Sequence, residues 1–168
     1  TGEGEFAFKT FLELFKNGED YTTAPSFWFR KDDRIIKNKN LPLMKSTEMD
    51  KLPPLMYQDG EIIYHQGKDF NSISNEDYLD HTGLAYNTVW TIGCPLHCTF
   101  CGNTKFIEYD NAYRRLRHSS PRTIVDEIKR AISKRPHISV IGFFDDSFLG
   151  LRYEVLEQLC KLYKEEVV

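Results

Sequence analysis

The apolar positions change their period along the chain, and each change marks an element. From Glu5 to Asn17, Phe8, Phe11, Leu12 and Phe15 return every three or four residues, which predicts an amphipathic helix, and Gly18 is placed to end it in a left-handed cap. Phe27-Trp28-Phe29-Arg30 and Arg34-Ile35-Ile36-Lys37 are short β-prone runs around Lys31-Asp32-Asp33, the pattern of a small hairpin. Between Leu41 and Tyr57, Pro42, Pro53 and Pro54 remove backbone donors and fix φ, so an ordered linker is expected there rather than sheet or helix. Asp59 to His81 is polar and turn-rich, with a candidate strand at Glu61 to Tyr64 and no further assignment.

The carboxyl half is more regular. Leu84 to Ile92 is a β-prone run ending at Gly93. Ser120 and Pro121 predict a cap and a first helical position, followed by Ile124, Val125, Ile128, Ala131 and Ile132 on one face through about Lys134. Pro136 ends that helix, and Ser139 to Phe144 is a nearly continuous apolar run suited to a buried parallel strand. Asp145, Asp146 and Ser147 close it, and from about Tyr153 to Glu166 a second amphipathic helix carries Leu156, Leu159, Cys160 and Tyr163. The fold class is therefore α/β: strand, helix, strand, helix implies a parallel sheet whose ligands lie beyond the carboxyl ends of the strands.

With 40% hydrophobic and 28% charged residues, the composition fits a globular protein and opposes both disorder and a membrane span. Twenty-two basic against 25 acidic side chains leave a net charge of −3, which gives no global reason to expect nucleic acid as a partner. Thr1-Gly2-Glu3-Gly4-Glu5 has neither the basic segment nor the apolar core of a secretory signal, so a cytoplasmic, thiol-reducing location is expected. In that setting the four cysteines point to ligation or redox chemistry rather than disulfides.

Three of them, Cys94, Cys98 and Cys101, lie in Gly93-Cys94-Pro95-Leu96-His97-Cys98-Thr99-Phe100-Cys101-Gly102-Asn103, directly after the predicted strand at Leu84 to Ile92. Three thiolates converging on one point suit an iron–sulfur cubane with one iron left without a protein ligand. Zinc is the alternative, but it ordinarily takes four ligands in paired spacings, and His97 or the distant Cys160 would have to complete the set. Cys160 itself is expected to pack in the core from the apolar face of its helix. Arg114, Arg115, Arg117 and His118 form a basic cluster that suits either an anionic group or, as is commoner, a solvated surface.

The Cys-x3-Cys-x2-Cys spacing, with Phe100 before the third cysteine and Gly102-Asn103 after it, resembles the radical S-adenosylmethionine superfamily, where it follows the first strand of a (β/α) barrel or partial barrel. The resemblance implies that Cys94, Cys98 and Cys101 hold a [4Fe–4S] cluster and that the open iron takes S-adenosylmethionine, with Phe100 packing beside it. It also makes Asp145 and Asp146 candidates for contacts to that cofactor, while their composition equally suits helix capping. The difficult chemistry then resides in cofactors, in radical or methyl-transfer reactions of oxidoreductase or transferase type. Such chemistry implies an electron donor such as flavodoxin or ferredoxin and a small-molecule or peptide substrate. No membrane or nucleic-acid partner is implied.

Gly2-Glu3-Gly4-Glu5, followed by the helix, the hairpin and Asp50-Lys51-Leu52-Pro53-Pro54, resembles the cobalamin-binding-domain members of the superfamily, a group that includes the anaerobic magnesium-protoporphyrin ester cyclases, and Asp145-Asp146 is similar to the Asp-Asp pattern of such members. That implies the tail of a Rossmann-like cobalamin-binding domain with linker over residues 1–57, with Gly2, Glu3 and Gly4 near the cofactor, and the start of the radical domain over 58–168. No Asp-x-His-x-x-Gly motif precedes it, and only two strand–helix units follow where the family's barrel has about six. The expectation is therefore a fragment, with cobalamin belonging to the full-length parent. A non-enzymatic iron–sulfur or zinc module is the alternative function.

Overall fold

The computed structural model describes residues 3–53, 61–64, 67 and 69–167. It divides into two compact units, the first ending at Met44 and the second beginning at Lys45.

In the first unit, helix α1 (Glu5–Lys16) ends as the glycine pattern predicts: Gly18 has φ +70°, and Glu19 N–H reaches back to the Leu14 carbonyl. Strands β1 (Trp28–Lys31) and β2 (Arg34–Lys37) form the expected antiparallel hairpin, turned at Asp32, whose φ is +52°. The unit has too few residues for a closed core, and aromatic rings substitute for one. Phe11 of α1 stacks at 5.1 Å on Phe27 beside the hairpin and meets Tyr21 edge-on at 5.6 Å.

In the second unit the proline-rich segment is not a free linker. Its short helix α2 (Ser46–Met49) is followed by Asp50, whose carboxylate accepts the Ser120 backbone N–H and the Thr123 hydroxyl, each at 2.6 Å. Residues 45–53 therefore pack with the second unit.

The unassigned polar stretch contains a hairpin of β3 (Ile62–Tyr64) and β4 (Phe70–Ser72), then α3 (Asn75–Thr82). A reciprocal capping box starts α3: the Asp77 N–H donates to Ser74 Oγ, and the Ser74 N–H donates to the Asp77 carboxylate.

The predicted strand before the cysteines is two strands, β5 (Ala85–Thr88) and β6 (Thr91–Ile92), broken at Val89 and Trp90. After the cysteines come α4 (Asn103–Tyr109) and β7 (Arg117–His118), which pairs antiparallel with β6. Helix α5 (Pro121–Lys134) follows, then β8 (Val140–Phe143) and α6 (Tyr153–Glu166).

Strands β5 and β8 pair in parallel, Thr88 opposite Phe143. Helices α5 and α6 cover one face of this pair, and Tyr86, Trp90, Ile124, Val125, Ile128 and Leu159 form the core. A polar tie crosses it: Tyr86 and Thr88 both donate to Glu127 Oε1, at 2.7 and 2.8 Å, satisfying hydroxyls that burial would otherwise leave unpaired.

Among the described residues, strand β8 is covered on that face alone. Alternate residues Val140 and Phe144 are exposed, so the fully buried strand expected from its apolar run is corrected to a half-covered one.

Cys160 is a second correction, for it is exposed. The face of α6 that meets the core is centred on Val155 and Leu159, with Leu156, Leu162 and Tyr163 at its margins, and Cys160 lies beyond that margin. Among the described residues no helix is long and apolar enough to cross a membrane.

Candidate metal centre

The cysteine loop leaves β6 at the carboxyl end of the parallel pair, where β8 also delivers Asp145 and Asp146. Two features fix its start. Gly93 has φ +106°, a conformation open to glycine, and a Cβ there would lie 2.5 Å from the Arg115 carbonyl oxygen and 2.7 Å from that of Tyr113. Because the backbones approach so closely, the Cys94 N–H donates to the Tyr113 carbonyl at 3.1 Å.

The far end of the loop winds into α4. The Cys101 N–H donates to the Cys98 carbonyl at 3.1 Å, the Thr104 hydroxyl caps that same carbonyl at 2.6 Å, and the Thr104 N–H reaches the Cys101 carbonyl. Within the loop, the Arg114 guanidinium donates to the Pro95 carbonyl at 3.3 Å.

Cys94 is buried, Cys98 and Cys101 are half-buried, and all three are free thiols. Phe100 projects from the loop, 92% exposed. The loop's donors are three thiols and the imidazole of exposed His97, with no carboxylate between Cys94 and Cys101. Soft ligands of this kind suit iron–sulfur clusters or zinc and not magnesium or calcium.

The structure brings the three cysteines into one anchored loop without closing them on a point: among the described residues no three His, Cys, Asp or Glu side chains are grouped to hold a metal ion. Thiolates drawn together repel unless a cation lies between them, so ligand convergence and metal uptake are one event. In number and chemistry the donors fit a three-thiolate cluster. A four-ligand zinc site would need His97 of the same loop as its fourth ligand, since Cys160 is exposed on α6 in a shallow depression built from α6 residues.

Asp145 and Asp146 diverge. Asp145 Oδ1 accepts the Trp90 N–H at 2.7 Å while its Oδ2 is buried without a hydrogen-bond partner among the described residues, and Asp146 accepts the Tyr113 hydroxyl at 3.1 Å. The basic cluster divides as well, with Arg114 and Arg115 exposed and Arg117 buried in β7. Beside the loop, the hydrogen bond from Lys105 holds the exposed Glu108 carboxyl below its ordinary value, with a smaller contribution from the charge of His97.

Tyr113 and Trp90 are the residues that sequence reasoning missed. The only available signal was an aromatic residue on each side of the cysteines.

With this geometry in view, the comparisons with known proteins bear on the same segment. Residues 88–168 match the Radical SAM superfamily. The match covers a little under half of the chain and runs from the end of β5 through the cysteine loop, α5, β8 and α6.

Cytidylyl-2-hydroxyethylphosphonate methyltransferase of Streptomyces wedmorensis is 28% identical over 146 residues, covering 77% of this chain. The chain spans about a quarter, 26%, of the length of that curated relative. No solved structure matches.

The expected cobalamin contacts in the first unit gain no support from the geometry. Gly2 lies outside the described residues, the Glu3 carboxylate accepts the Met44 N–H at 2.6 Å, and a Cβ on Gly4 would meet nothing within 4 Å. Of the two glycines, the described Gly4 has room for a side chain.

Proposed function

We propose that this chain is the cluster-binding part of a radical S-adenosylmethionine enzyme, in which Cys94, Cys98 and Cys101 ligate a [4Fe–4S] cluster. The observation that carries the reading is a Cys-x3-Cys-x2-Cys loop anchored at the carboxyl end of a parallel strand pair, inside the segment that matches the superfamily. When bound, such a cluster supplies an iron free of protein ligands on which S-adenosylmethionine is held and reductively cleaved.

The protein's own part is to hold and shield. Cys94 is already buried and tethered through its backbone, the half-buried Cys98 and Cys101 precede α4 and would close on the same cluster, and exposed Phe100 is free to cover the cofactor. The name of the matched Streptomyces protein favours methyl transfer over hydrogen abstraction. An electron donor of the flavodoxin or ferredoxin kind and a small-molecule or peptide substrate complete the proposal.

The test is anaerobic reconstitution with iron and sulfide, counting both. Wild-type protein is expected to take up about four of each, and Cys98→Ala to lose most of both. Uptake of one zinc with no sulfide would instead establish a zinc module.

A further inference from the structure

The cysteine loop is bracketed by two hydrogen bonds that both end on β8's carboxyl terminus. Before the loop, the Trp90 N–H donates to Asp145 Oδ1 at 2.7 Å. After it, the Tyr113 hydroxyl donates to Asp146 Oδ2 at 3.1 Å, while the carbonyl of the same tyrosine accepts the Cys94 N–H at 3.1 Å. The Tyr113 ring also lies 5.3 Å from Phe106 in α4, the helix that begins where the cysteines end. Tyr113 thus touches the first ligand, the helix behind the last one and the end of β8. The two adjacent carboxylates thus hold two different segments, one on each side of the cysteines.

We infer that Asp145, Asp146 and Tyr113 are positioning residues that clamp the cysteine loop, and that Asp145 does not contact the bound cofactor. The second part stands on burial: less than 1 Å² of Asp145 Oδ2 is accessible, and the convergence of Cys98 and Cys101 proposed above moves the far end of the loop while Trp90, which precedes it, stays on Asp145. Its other oxygen is committed to Trp90. The clamp itself stands on the geometry alone, and its consequence for the cluster rests on the function proposed above.

Because Cys94 is buried by the clamp, its alkylation rate in the metal-free chain reports the clamp without any cluster, and exposed Cys160 serves as an internal control. Tyr113→Phe and Asp146→Ala are each expected to speed Cys94 alkylation about fivefold, with the double variant no faster than either alone, and to leave Cys160 unchanged. In reconstituted protein the same variants should lose iron to a chelator several-fold faster and broaden the electron paramagnetic resonance signal of the reduced cluster, at unchanged melting temperature.

Asp145→Ala is expected to behave likewise. Asp145→Asn keeps an acceptor for Trp90, so it should match wild type, including its spectral response to S-adenosylmethionine. Wild-type alkylation and iron release in both Tyr113→Phe and Asp146→Ala would overturn the clamp. An Asp145→Asn protein that holds its cluster but no longer responds to S-adenosylmethionine would overturn the exclusion of Asp145 from the cofactor. If wild-type protein takes up no four-iron cluster, the proposed function fails, and the alkylation rates still decide the clamp.

Discussion

On the helix side of the β5–β8 pair, Val125 and Ile128 are completely buried and share their contacts with Tyr86, Trp90 and Leu159. At the carboxyl end of the same strands, Cys94 is nearly as buried, but single polar contacts hold it: one backbone hydrogen bond from its own N–H, one close approach at Gly93, one carboxylate on either side. Apolar burial is distributed, so neighbours cover for the loss of a methyl group. Directional contacts have no such redundancy, and a loop built from them changes sharply with single substitutions. The core gives the loop a rigid edge, and the loop gives the edge its chemistry.

Trp90 joins the two regions and is the place to break the comparison. Its ring is buried in the core, its indole N–H donates to the Ser119 carbonyl at 2.9 Å, and its backbone meets Asp145. Trp90→Ala is expected to cost about 3–5 kcal/mol in chemical denaturation, more than any truncation elsewhere in this core. A loss under about 1 kcal/mol would mean that the aromatic is not part of the core.

Gly93→Ala probes the loop alone. The new Cβ meets backbone oxygens at a positive φ, and a cost of about 1–3 kcal/mol is expected, with exchange of the Cys94 amide accelerated while the α5 amides stay protected. Uniform loss of protection would show that loop and core open together.

A smaller effect comes from Asp50. Burial works to raise its pKa, but the hydrogen bonds from Thr123 and Ser120 and the charge of His118 outweigh it, and the carboxyl is held below its ordinary value. The folded state then binds this proton less readily than the unfolded chain does. The resulting stability is fully present above about pH 4 and is lost as pH falls through the lowered folded value. Asp50→Ala should cost about 1 kcal/mol at neutral pH, the usual worth of a helix cap, and the difference from wild type should shrink below pH 4. A difference independent of pH would remove the charge from the explanation.

Cys160→Ser is expected to change stability by less than about 0.5 kcal/mol and cluster uptake not at all. A drop in bound iron would bring that distant thiol into the site.

What the sequence made legible follows the same division. Helices α5 and α6 and the cap at Ser120-Pro121 are visible because a long apolar stripe and a local cap leave a periodic signature. Strands β6 and β7 are two residues each and owe their existence to pairing across the intervening loop, which no local pattern records. Helix α3 carries a capping box at Ser74 and Asp77, but it is too polar to leave the apolar period that marks α5 and α6.

The three closely spaced cysteines stand out in the sequence, whereas Trp90 and Tyr113 meet their surroundings through an amide and a carbonyl that every residue possesses, and the Tyr113 hydroxyl finds Asp146 only in the fold. Cys160 was misplaced by about one helical step, because the buried stripe of α6 is centred on Val155 and Leu159 and not on Leu156 and Cys160.

The central claim is that three cysteines of one loop hold a cluster with an iron left open for S-adenosylmethionine. Its most direct test is the electron paramagnetic resonance spectrum of the reduced, reconstituted chain before and after that cofactor is added. The account predicts a [4Fe–4S] signal whose g values shift on addition. A four-iron signal that the cofactor leaves unchanged would contradict it, by showing that no iron is free to bind.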